Sequence, residues 1–354
     1  MVTIENIKTK VFTLPLEGAL KWGTHNILRE LRHVLVECTL SDGSVGQAEA
    51  IPRPTIYGET AETVQIIARD ELLPRIKGLQ SSAYDLINSK MDEVKNNNTV
   101  KGAIDMALYE ANAYSNHTSL AQSIGATKNK IKVSYILGIS SLETSVKEAT
   151  RVYEKGVRVL KIKIGKDFTG DMKRIKNFLQ ELPDDVEYYA DANETMTEEN
   201  SEERLKILKD MGFLYCEEPL PVQKIRQRSK LRTKHLIDII GDDSCMSLED
   251  MERELGANTI DVLNIKVART GYTRSLAMLK MIKSKINKVM VGSQAASGLG
   301  TRFAAIFSAR PEVNCPCELS FFLKLKEDIL EKPIQIKDGY LDTRQFRSYF
   351  KLSC

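Results

Sequence analysis

From residue 130 onwards, the chain alternates short apolar stretches typical of β-strands with longer stretches of helical periodicity. Segments such as TEENSEERLKILKDMG and GYTRSLAMLKMIKSK place apolar residues three or four positions apart, as amphipathic helices do. Eight strand-like segments predict a parallel (β/α)8 barrel of the TIM type, in which the carboxyl ends of the strands meet at one face. These segments are IKVSYILG, VLKIKIG, VEYYAD, FLYCEE, LIDIIGDD, IDVLNIK, KVMVGS and EVNCPCE.

Other α/β architectures show the same alternation. A seven-stranded or permuted barrel remains open, and an open doubly wound sheet is the main structural rival. A doubly wound sheet commonly binds nucleotides through a Gly-x-Gly-x-x-Gly turn or a phosphate loop, and the sequence contains neither motif. We therefore favour the barrel.

The first third of the chain has a different pattern. Residues 2–14 and 33–40 are typical of strands, and Ser-Asp-Gly at 41–43 is typical of a hairpin turn. Three stretches of helical periodicity follow, which together with the strands predict an α+β unit. We assign this unit to residues 1–125, the barrel to 126–325, and a segment that returns to the first unit through a late hairpin to 326–354.

The composition excludes several classes of partner. The 354 residues include 51 Lys and Arg against 48 Asp and Glu, and a net charge of +3 is too small to indicate nucleic acid or an anionic membrane. No segment has the apolar length that spans a bilayer, and the first residues do not resemble a signal peptide. We therefore expect a cytoplasmic protein with no nucleic-acid or membrane partner.

The six cysteines are scattered, and most lie in apolar, strand-like surroundings. This predicts buried free thiols of the kind found in cytosolic proteins. Cys315-Pro-Cys317 lacks the usual spacing of a redox or metal pair and has no histidine nearby. The four histidines form no zinc-like cluster, so we do not expect zinc.

Three acidic residues occur at near-regular spacing, each at the end of a strand-like segment. They are Asp191 in EYYADAN, Glu217 in FLYCEEP and Asp242 in LIDIIGDD. Each alone would more often be a helix cap or a loop residue, but neighbouring parallel strands would bring all three to one face. Three carboxylates at one point suit a hard divalent cation, so we predict a Mg²⁺ site, with Mn²⁺ as a substitute.

Strands that carry lysines flank the three acids. Lys161 and Lys163 are two apart in one strand and share a face, and Lys266 ends a later strand. Mutual repulsion and a nearby cation would lower the pKa of the paired lysines. Lys163 is then a candidate general base, with Lys161 tuning its pKa or contacting the substrate carboxylate, although a structural ion pair is the alternative. Asp243 is a candidate hydrogen-bond partner for Lys266.

These groups together suit one kind of reaction. A proton next to a carboxylate is weakly acidic, and its removal leaves an enediolate whose charge a bound cation stabilises. Bases on opposite faces of the substrate let a proton leave from one side and return from the other, which inverts the carbon centre. The residues thus indicate proton transfer next to the carboxylate of a small-molecule substrate.

Five motifs together resemble the enolase superfamily, and within it the muconate-lactonizing-enzyme subgroup that includes dipeptide epimerases and N-acylamino acid racemases. The resemblance covers nearly the whole chain. It implies an enolase-type modified barrel with an N-terminal capping domain, Mg²⁺ held by Asp191, Glu217 and Asp242, and Lys163 and Lys266 as the acid/base pair. The motifs are KIK (161–163), DAN (191–193), EEP (217–219), GDDS (241–244) and NIKVARTG (264–271).

The resemblance also suggests which loops select the substrate. KWGTHN (21–26) and PRPTIYGE (52–59) look like the specificity loops of the capping domain, although the second could instead be a rigid proline-containing connection. Residues after the seventh and eighth strands would complete the pocket. The candidate substrate contacts are Thr24, His25, Arg53, Tyr57, Ser293, Ala295, Glu318 and Ser320.

The chain departs from its relatives at two places. Ala296 stands where relatives often carry a glutamate after the seventh strand. Glu318-Leu319-Ser320 replaces the Asp-x-Asp with which dipeptide epimerases hold a substrate ammonium, so Glu318 would hold a cation with a longer reach and Ser320 removes one charge. The core chemistry is retained, whereas the pattern no longer predicts specificity for L-Ala-L-Glu.

We therefore expect a Mg²⁺-dependent racemase or epimerase that acts on a dipeptide or amino-acid derivative with a free carboxylate. A lyase, such as a dehydratase, or a cycloisomerase would use the same lysines and metal. A barrel that only binds a ligand is a third alternative. Barrels of this kind commonly form symmetric homo-oligomers, and we expect one here.

Overall fold

The structure is a computed structural model, and it describes residues 1–22, 26–165, 167–283 and 285–346. Two candidate substrate contacts, Thr24 and His25, lie outside these ranges. The described chain comprises an N-terminal unit of strands and helices, a parallel barrel, and a short C-terminal hairpin.

The N-terminal unit is built on an antiparallel meander of three strands, β1 (Ile4–Trp22), β2 (Asn26–Leu40) and β3 (Val45–Ala50). Between β2 and β3, Ser44 N donates to Asp42 Oδ1 at 2.9 Å. An aspartate that accepts from the backbone two residues on stabilises a tight turn. The hairpin predicted from Ser-Asp-Gly is therefore confirmed.

Helices pack over this sheet where the sequence shows helical periodicity. They are α1 (Pro54–Tyr57), α2 (Ala61–Ile66), which continues through a π-helical stretch (Ile67–Leu72) into α3 (Leu73–Ile76), then α4 (Tyr84–Met91), α5 (Asn98–Ser115) and α6 (Leu120–Ser123). The longest, α5, is buried along most of its length. It lies so close to β3 that a Cβ on Gly46 would be 2.0 Å from the Ala107 carbonyl oxygen, so only glycine fits there.

The barrel follows β4 (Lys130–Lys132). In the described part of the chain, seven parallel strands pair side by side in chain order, which is the arrangement of a (β/α) barrel. They are β5 (Tyr135–Leu137), β6 (Val159–Lys163), β7 (Glu187–Asp191), β8 (Tyr215–Glu217), β9 (Asp238–Gly241), β10 (Val262–Ile265) and β11 (Lys288–Val291). The barrel helices are α7 (Leu142–Glu154), α8 (Phe168–Gln180), α9 (Glu198–Asp210), α10 (Ile225–Arg232), α11 (Leu248–Ala257), α12 (Val267–Ile282) and α13 (Gly298–Ser308).

Polar residues cap the starts of several barrel helices. Ser141 Oγ accepts from Thr144 N at 3.2 Å at the start of α7, and Ser247 Oγ accepts from Asp250 N at 3.1 Å at the start of α11. These bonds satisfy N–H groups that have no partner within the helix. Local sequence thus fixes where these helices begin, and with them the lengths of the loops that leave the strand ends.

The eighth strand-like segment closes the barrel without forming a regular strand. Cys315 N donates to Val289 O at 2.9 Å on one side, and Cys317 N donates to Lys132 O at 2.9 Å on the other. Pro316 lies between the two cysteines and has no N–H group, which interrupts a regular ladder. The prediction of a regular strand at EVNCPCE is therefore wrong, although the segment lies where the eighth strand of a barrel belongs.

The C-terminal segment forms the predicted late hairpin, β12 (Ile336–Lys337) and β13 (Tyr340–Asp342). The sheet partner of β13 is β4, at the start of the barrel. Earlier in the segment, Lys326 N donates to Pro15 O of β1 at 3.0 Å. The first part of the segment thus contacts the N-terminal unit. Its hairpin, however, pairs with β4 and not with the three-stranded sheet of that unit.

Two buried carboxylates of the N-terminal unit bond to the backbone of barrel helices. Glu49 of β3 accepts from Gly300 N at 2.7 Å and from Ser297 Oγ at 2.6 Å, at the start of α13. Asp105 of α5 accepts from Tyr272 N at 2.6 Å, just after a non-helical residue interrupts α12. Both carboxylates meet free N–H groups at the start of a helical stretch, a favourable place for negative charge.

Apolar side chains fill both units. Inside the barrel, Val159, Tyr189, Ile240, Val262 and Met290 belong to a buried cluster of their own. The cysteines of the described ranges are free and buried, as expected from their apolar surroundings. No helix within those ranges is both long and apolar enough to cross a bilayer.

Candidate active site

The ends of neighbouring strands bring the predicted acids and lysines to one end of the barrel. In the parallel register, Lys163 of β6 lies opposite Asp191 of β7, and Asp191 lies opposite Glu217 of β8. Asp242 directly follows β9, and Lys266 directly follows β10. Side chains that are far apart in the sequence therefore share one site.

Lys161 is buried among three carboxylates. Its Nζ lies 3.0 Å from Asp191 Oδ2, 2.7 Å from Glu217 Oε1 and 2.6 Å from Glu318 Oε1. Burial alone would lower the pKa of Lys161, but the three carboxylates outweigh it and hold this pKa well above its usual value. The surrounding anions thus outweigh repulsion from Lys163 in setting the pKa of Lys161, whereas the lowering expected from a bound cation stays a prediction.

Lys163 shares Asp191 with Lys161. Its Nζ donates to Asp191 Oδ2 at 2.5 Å and to Asn193 Oδ1 at 2.8 Å. Burial would raise the pKa of Asp191, but the two lysines prevail and lower this pKa below its usual range. Asn193 belongs to the DAN motif, and the sequence analysis gave it no role.

Lys266 donates to Asp242 Oδ2. Burial would lower the pKa of Lys266, but Asp242 and Asp243 outweigh it and raise this pKa. Asp243, the expected hydrogen-bond partner of Lys266, instead accepts from Arg269 Nη1 at 3.2 Å. The expectation fails because the backbone turns at Asp242, so that consecutive side chains diverge onto different cations.

The three predicted metal ligands form a buried acidic group. Asp191, Glu217 and Asp242 are 0%, 1% and 5% exposed. Burial and then repulsion from Asp191 raise the pKa of Glu217 well above its usual value, although Lys161 acts in the opposite direction. Within the described ranges, no three Asp, Glu, His or Cys side chains are already arranged so that they could hold a metal ion. Lysine ammonium groups instead pair with these carboxylates, as Lys161 does with Glu217 and Lys266 with Asp242. The donor set itself, three carboxylates in a protein interior, suits a hard divalent cation.

A cavity of about 120 Å³ is lined by Asp242 and by the three site lysines, Lys161, Lys163 and Lys266. Part of its lining is apolar and includes Leu28, Ile56, Ile136 and Phe321. Apolar side chains beside a few ionisable groups are the usual lining of a small-molecule site. The candidate substrate contacts in the lining are Arg53, Tyr57, Ser293, Ala295 and Glu318.

Ser320 is a candidate substrate contact that does not reach this cavity lining. It is 2% exposed, and its Oγ donates to Ser134 O at 2.7 Å. The hydroxyl group therefore connects the chain after the eighth segment to the chain before β5. The structure thus uses the Ser320 hydroxyl in this internal bond, and a substrate contact by Ser320 stays a prediction.

Glu318 lines the cavity, and its carboxylate already bonds to Lys161, a lysine that it shares with Asp191 and Glu217. Its Oε1 accepts from Lys161 Nζ at 2.6 Å and from Tyr189 Oη at 3.3 Å, and its Oε2 accepts from Ser293 N at 2.8 Å. A buried carboxylate with one cation and two further donors has little remaining capacity for a second cation. The geometry thus differs from the expected role of Glu318 as the holder of a substrate cation.

Arg53 and Tyr57 hold the loop that follows β11. Arg53 Nη2 donates to Gln294 O at 2.7 Å and to Ala295 O at 3.2 Å, and Gln294 Nε2 donates to Tyr57 Oη. Ala295 has a φ of +60°, which is strained for a residue with a side chain. Two side chains of the N-terminal unit therefore shape a loop that lines the cavity.

Behind Arg53 lies a buried pair that the sequence analysis missed. Arg53 Nη1 donates to His33 Nε2 at 3.0 Å, and His33 Nδ1 bonds to Glu49. Burial lowers the pKa of His33 despite the opposing effect of Glu49, so the neutral ring carries its proton on Nδ1. No motif connects these residues, which meet because β2 and β3 are adjacent.

Two further site residues lie inside a motif that the sequence analysis used for Lys266. Asn264 Nδ2 donates to Glu217 Oε2 at 3.4 Å, and Arg269 Nη2 donates to Asp242 O at 2.8 Å. Asn264 precedes Lys266 by two positions, and that spacing is a signal that could have identified it. Arg269 comes from the first turn of α12, where strand periodicity gives no information.

Comparison with known proteins agrees with this arrangement. Residues 144–345 match the enolase C-terminal domain-like family, and residues 11–125 match the mandelate racemase / muconate lactonizing enzyme N-terminal domain family. The L-Ala-D/L-Glu epimerase of Thermotoga maritima is 26% identical over 318 residues, which cover 89% of this chain and 91% of the relative. The o-succinylbenzoate synthase of Bacillus subtilis is 25% identical over 346 residues, which cover 96% and 92%.

Solved structures share the architecture. A muconate lactonizing enzyme from Mycobacterium smegmatis complexed with muconolactone has a TM-score of 0.91 at 28% identity, covering 99% of this chain and 97% of the other. A dipeptide epimerase from Cytophaga hutchinsonii complexed with Mg and D-Ala-L-Val has a TM-score of 0.88 at 24% identity, covering 96% and 93%. The chain therefore belongs to the mandelate racemase / muconate lactonizing enzyme family of the enolase superfamily, with a modified (β/α)8 barrel and an N-terminal α+β unit.

Proposed function

We propose that this protein is a Mg²⁺-dependent racemase or epimerase that exchanges the proton next to a substrate carboxylate. The observation that carries the proposal is the placement of Lys163 and Lys266. Their strands, β6 and β10, have three strands between them in the sheet order, so the lysines stand across the barrel end from each other. A substrate carbon between them would present one face to each lysine, as inversion requires.

Lys163 and Lys266 divide the two proton transfers. One lysine, in its neutral form, removes the α-proton, and the other, as an ammonium group, returns a proton to the opposite face. The roles exchange in the reverse direction. Burial would lower the pKa of Lys266 but Asp242 raises it, so Lys266 would reach its neutral form where a cation takes the Asp242 carboxylate from it. A divalent cation held by Asp191, Glu217 and Asp242 would supply positive charge for the enediolate and would compete with the lysines for these carboxylates.

Lys161 has a separate role in this proposal. Its Nζ is surrounded by acids, and its side chain also forms part of the cavity lining. It remains an ammonium group. Where a cation takes Asp191 and Glu217 from it, Lys161 would have donors left to pair with one oxygen of the substrate carboxylate and so orient the substrate. The α-carbon is thereby kept between the two lysines that move protons.

The cavity supports an amino-acid derivative with an uncharged nitrogen as the substrate. Leu28, Ile56, Ile136 and Phe321 offer apolar surface for a side chain or an acyl group. Glu318 is engaged by Lys161 and so gives weak support to binding a free ammonium group. Among carboxylates of this class, an N-acylamino acid fits these groups better than a dipeptide with a free amino terminus.

Relatives add support for the reaction class. The Thermotoga maritima relative is named for epimerisation of L-Ala-D/L-Glu. The Cytophaga hutchinsonii structure was solved with Mg and a dipeptide, which agrees with the donor set of this chain. At 26% identity, the substrate has to be assigned from the residues of this chain and not from the relative.

A lyase or cycloisomerase is the second candidate. The o-succinylbenzoate synthase relative aligns with 96% of the chain, and the muconate lactonizing enzyme structure has a TM-score of 0.91. The same enediolate would then expel a β-leaving group, or a ring would close or open. A keto or ultraviolet-absorbing product without racemisation would favour this candidate.

Exchange of the α-proton in D₂O tests the proposal. The protein would be incubated with Mg²⁺ and a panel of N-acylamino acids and dipeptides, and the α-proton followed by NMR. We expect deuterium incorporation with inversion, dependent on Mg²⁺ and absent from the Lys163→Ala, Lys266→Ala double variant. Lys206→Ala, which changes a surface lysine paired with Glu202, is the matched control. Full exchange by the double variant would refute the assignment of the two lysines.

A further inference from the structure

Glu218, the second acid of the EEP motif, is buried beside a predicted metal ligand but does not belong to the described cavity lining. It is 3% exposed, and its φ of +39° is unusual for a residue with a side chain. Such a conformation persists only where surrounding contacts hold it. The hydrogen bonds of the Glu218 carboxylate therefore indicate the role of this residue.

One oxygen of Glu218 collects three hydrogen bonds from the turn after β9. Oε1 accepts from Asp242 N at 2.8 Å, from Ser244 N at 2.9 Å and from Ser244 Oγ at 2.6 Å. The two N–H groups lie at the start of the one-turn 3-10 helix Asp243–Cys245, where they have no hydrogen-bond partner within the helix. The carboxylate thus fixes the backbone of Asp242 relative to the end of β8.

The other oxygen of Glu218 bonds to a buried arginine. Arg228 Nη2 donates to Glu218 Oε2 at 2.9 Å, and Arg228 Nη1 lies 2.9 Å from Glu254 Oε2. Arg228 is 2% exposed and Glu254 is fully buried. Arg228 of α10 therefore holds the Glu218 carboxylate from behind, whereas Glu254 of α11 pairs with the other terminal nitrogen of Arg228 and, among the described residues, makes no bond to Glu218 or to the turn.

Arg269 holds the same turn from the other side. Its Nη2 donates to Asp242 O at 2.8 Å and lies 3.3 Å from Asp242 Oδ1. The amide nitrogen of Asp242 is bonded to Glu218, and the carbonyl oxygen of Asp242 is bonded to Arg269. With both neighbouring peptide groups fixed, the Cα–Cβ bond of Asp242 is fixed, and Arg269 and Lys266 then bond to its two carboxylate oxygens.

We infer that Glu218 is a positioning residue for the divalent cation: it orients the carboxylate of Asp242 by holding the backbone of the Asp242–Ser244 turn. The link to the cation rests on the proposed function, whereas the effect on the turn does not. Hydrogen bonds made to a metal ligand by its neighbours typically change metal affinity by about 10- to 100-fold.

The test compares Glu218→Ala and Glu218→Gln with Glu254→Gln. Glu254→Gln removes the other carboxylate on Arg228 but leaves the bonds to Asp242 and Ser244 in place. Two quantities are measured on the intact proteins: Mg²⁺ affinity by titration calorimetry, and amide hydrogen exchange of a peptide spanning residues 238–246.

We expect Glu218→Ala to weaken Mg²⁺ binding by about 10- to 100-fold and to speed amide exchange in the peptide. Glu218→Gln weakens Mg²⁺ binding less than Glu218→Ala does, because its amide oxygen still accepts hydrogen bonds from the turn. If the alanine variant does not fold, the glutamine variant is used for the test. Glu254→Gln leaves the Mg²⁺ affinity and the exchange at wild-type values.

Two outcomes would overturn the inference. One is unchanged metal affinity and exchange in both Glu218 variants, and the other is equal weakening in Glu254→Gln, which would assign the effect to a general loss of stability. A wild-type protein that binds no Mg²⁺ would instead contradict the proposed function. In that case amide exchange alone decides whether Glu218 holds the turn.

Discussion

Lys161 Nζ and Glu318 Oε1 lie 2.6 Å apart in the interior of the barrel end. Lys161 comes from β6, and Glu318 comes from the irregular segment that closes the barrel on the far side of β5. Both side chains are nearly inaccessible to solvent, at 3% and 1% exposure, so Glu318 depends on Lys161 for compensation of its charge. The position of Lys161 in the cavity lining therefore depends on Glu318, a residue that was expected to select the substrate.

Replacement of Glu318 by Gln tests what this pair is for. We expect kcat/KM to fall by about 10- to 100-fold, because a charge-assisted hydrogen bond to Lys161 is lost. The loss is equal for N-acylated substrates and for substrates with a free amino group. Parallel kinetics on one substrate of each kind give the comparison. A loss confined to substrates with a free ammonium group would show that Glu318 binds the substrate instead.

Single replacements of Lys163 and Lys266 by Ala separate the two faces of the substrate. Each variant loses exchange from one enantiomer, with a rate at least about 100-fold lower, because the base for that face is missing. Exchange from the other enantiomer continues, since its base remains. Deuterium incorporation into each pure enantiomer measures both rates. If either variant lost exchange from both enantiomers to the same extent while remaining folded, two independent bases would be the wrong description.

Replacement of Glu49 by Ala removes the acceptor that joins the N-terminal unit to α13. Gly300 N and Ser297 Oγ lose a buried partner, so we expect the free energy of unfolding to fall by about 3 kcal/mol. Glu62→Ala, which breaks a surface pair with Arg32, is the matched control and leaves stability nearly unchanged, because solvent screens an exposed ion pair. Urea unfolding of both variants provides the measurement, and similar losses in the two would contradict a special role for Glu49.

Asp328 gives the protein a pH-dependent stability that can be isolated. Burial is the main cause that raises the pKa of Asp328 to about 6, while N–H groups such as Gly298 N act in the opposite direction. Because the folded-state pKa lies above the unfolded one, the contribution of Asp328 to stability is fully present at acid pH and is lost as the pH rises through about 6.

The variant Asp328→Asn removes this dependence. We expect its free energy of unfolding to increase relative to that of wild type as the pH rises from about 4 to about 7, because the wild type loses the contribution of Asp328 over this range and the variant does not. Denaturant unfolding at several pH values in this range measures the difference. A difference that stays constant over the range would mean that Asp328 does not titrate with a raised pKa.

The positions of the metal ligands and bases could be predicted from the sequence because the repeat of the barrel is regular. Asp191 and Glu217 end strands, and Asp242 follows one, so a parallel sheet in chain order had to bring them together. Asn264 follows the same logic, two residues before Lys266. In this part of the chain, local periodicity contains most of the information about the site.

Contacts between distant side chains could not be predicted in this way. Nothing near Glu318 in the sequence indicates that Lys161 pairs with it, and nothing near Arg53 indicates His33 as its partner. These pairs depend on how strands twist and how loops turn, and both follow from tertiary packing. The irregular eighth segment is different, because the missing N–H group of Pro316 is visible in the sequence and could have argued against a regular strand there.

The carboxylate of Glu49 and the guanidinium group of Arg53 reach from the N-terminal unit into the barrel loop between Gln294 and Gly300. A chimera that joined this barrel to the N-terminal unit of a relative would keep the lysines and acids but would lose the groups that hold the strained Ala295 in place. Directed evolution limited to the barrel would therefore search only part of the determinants of specificity. Mutant libraries designed for new substrates therefore need to vary residues of both units at once, at the contacts between the N-terminal unit and the barrel loop.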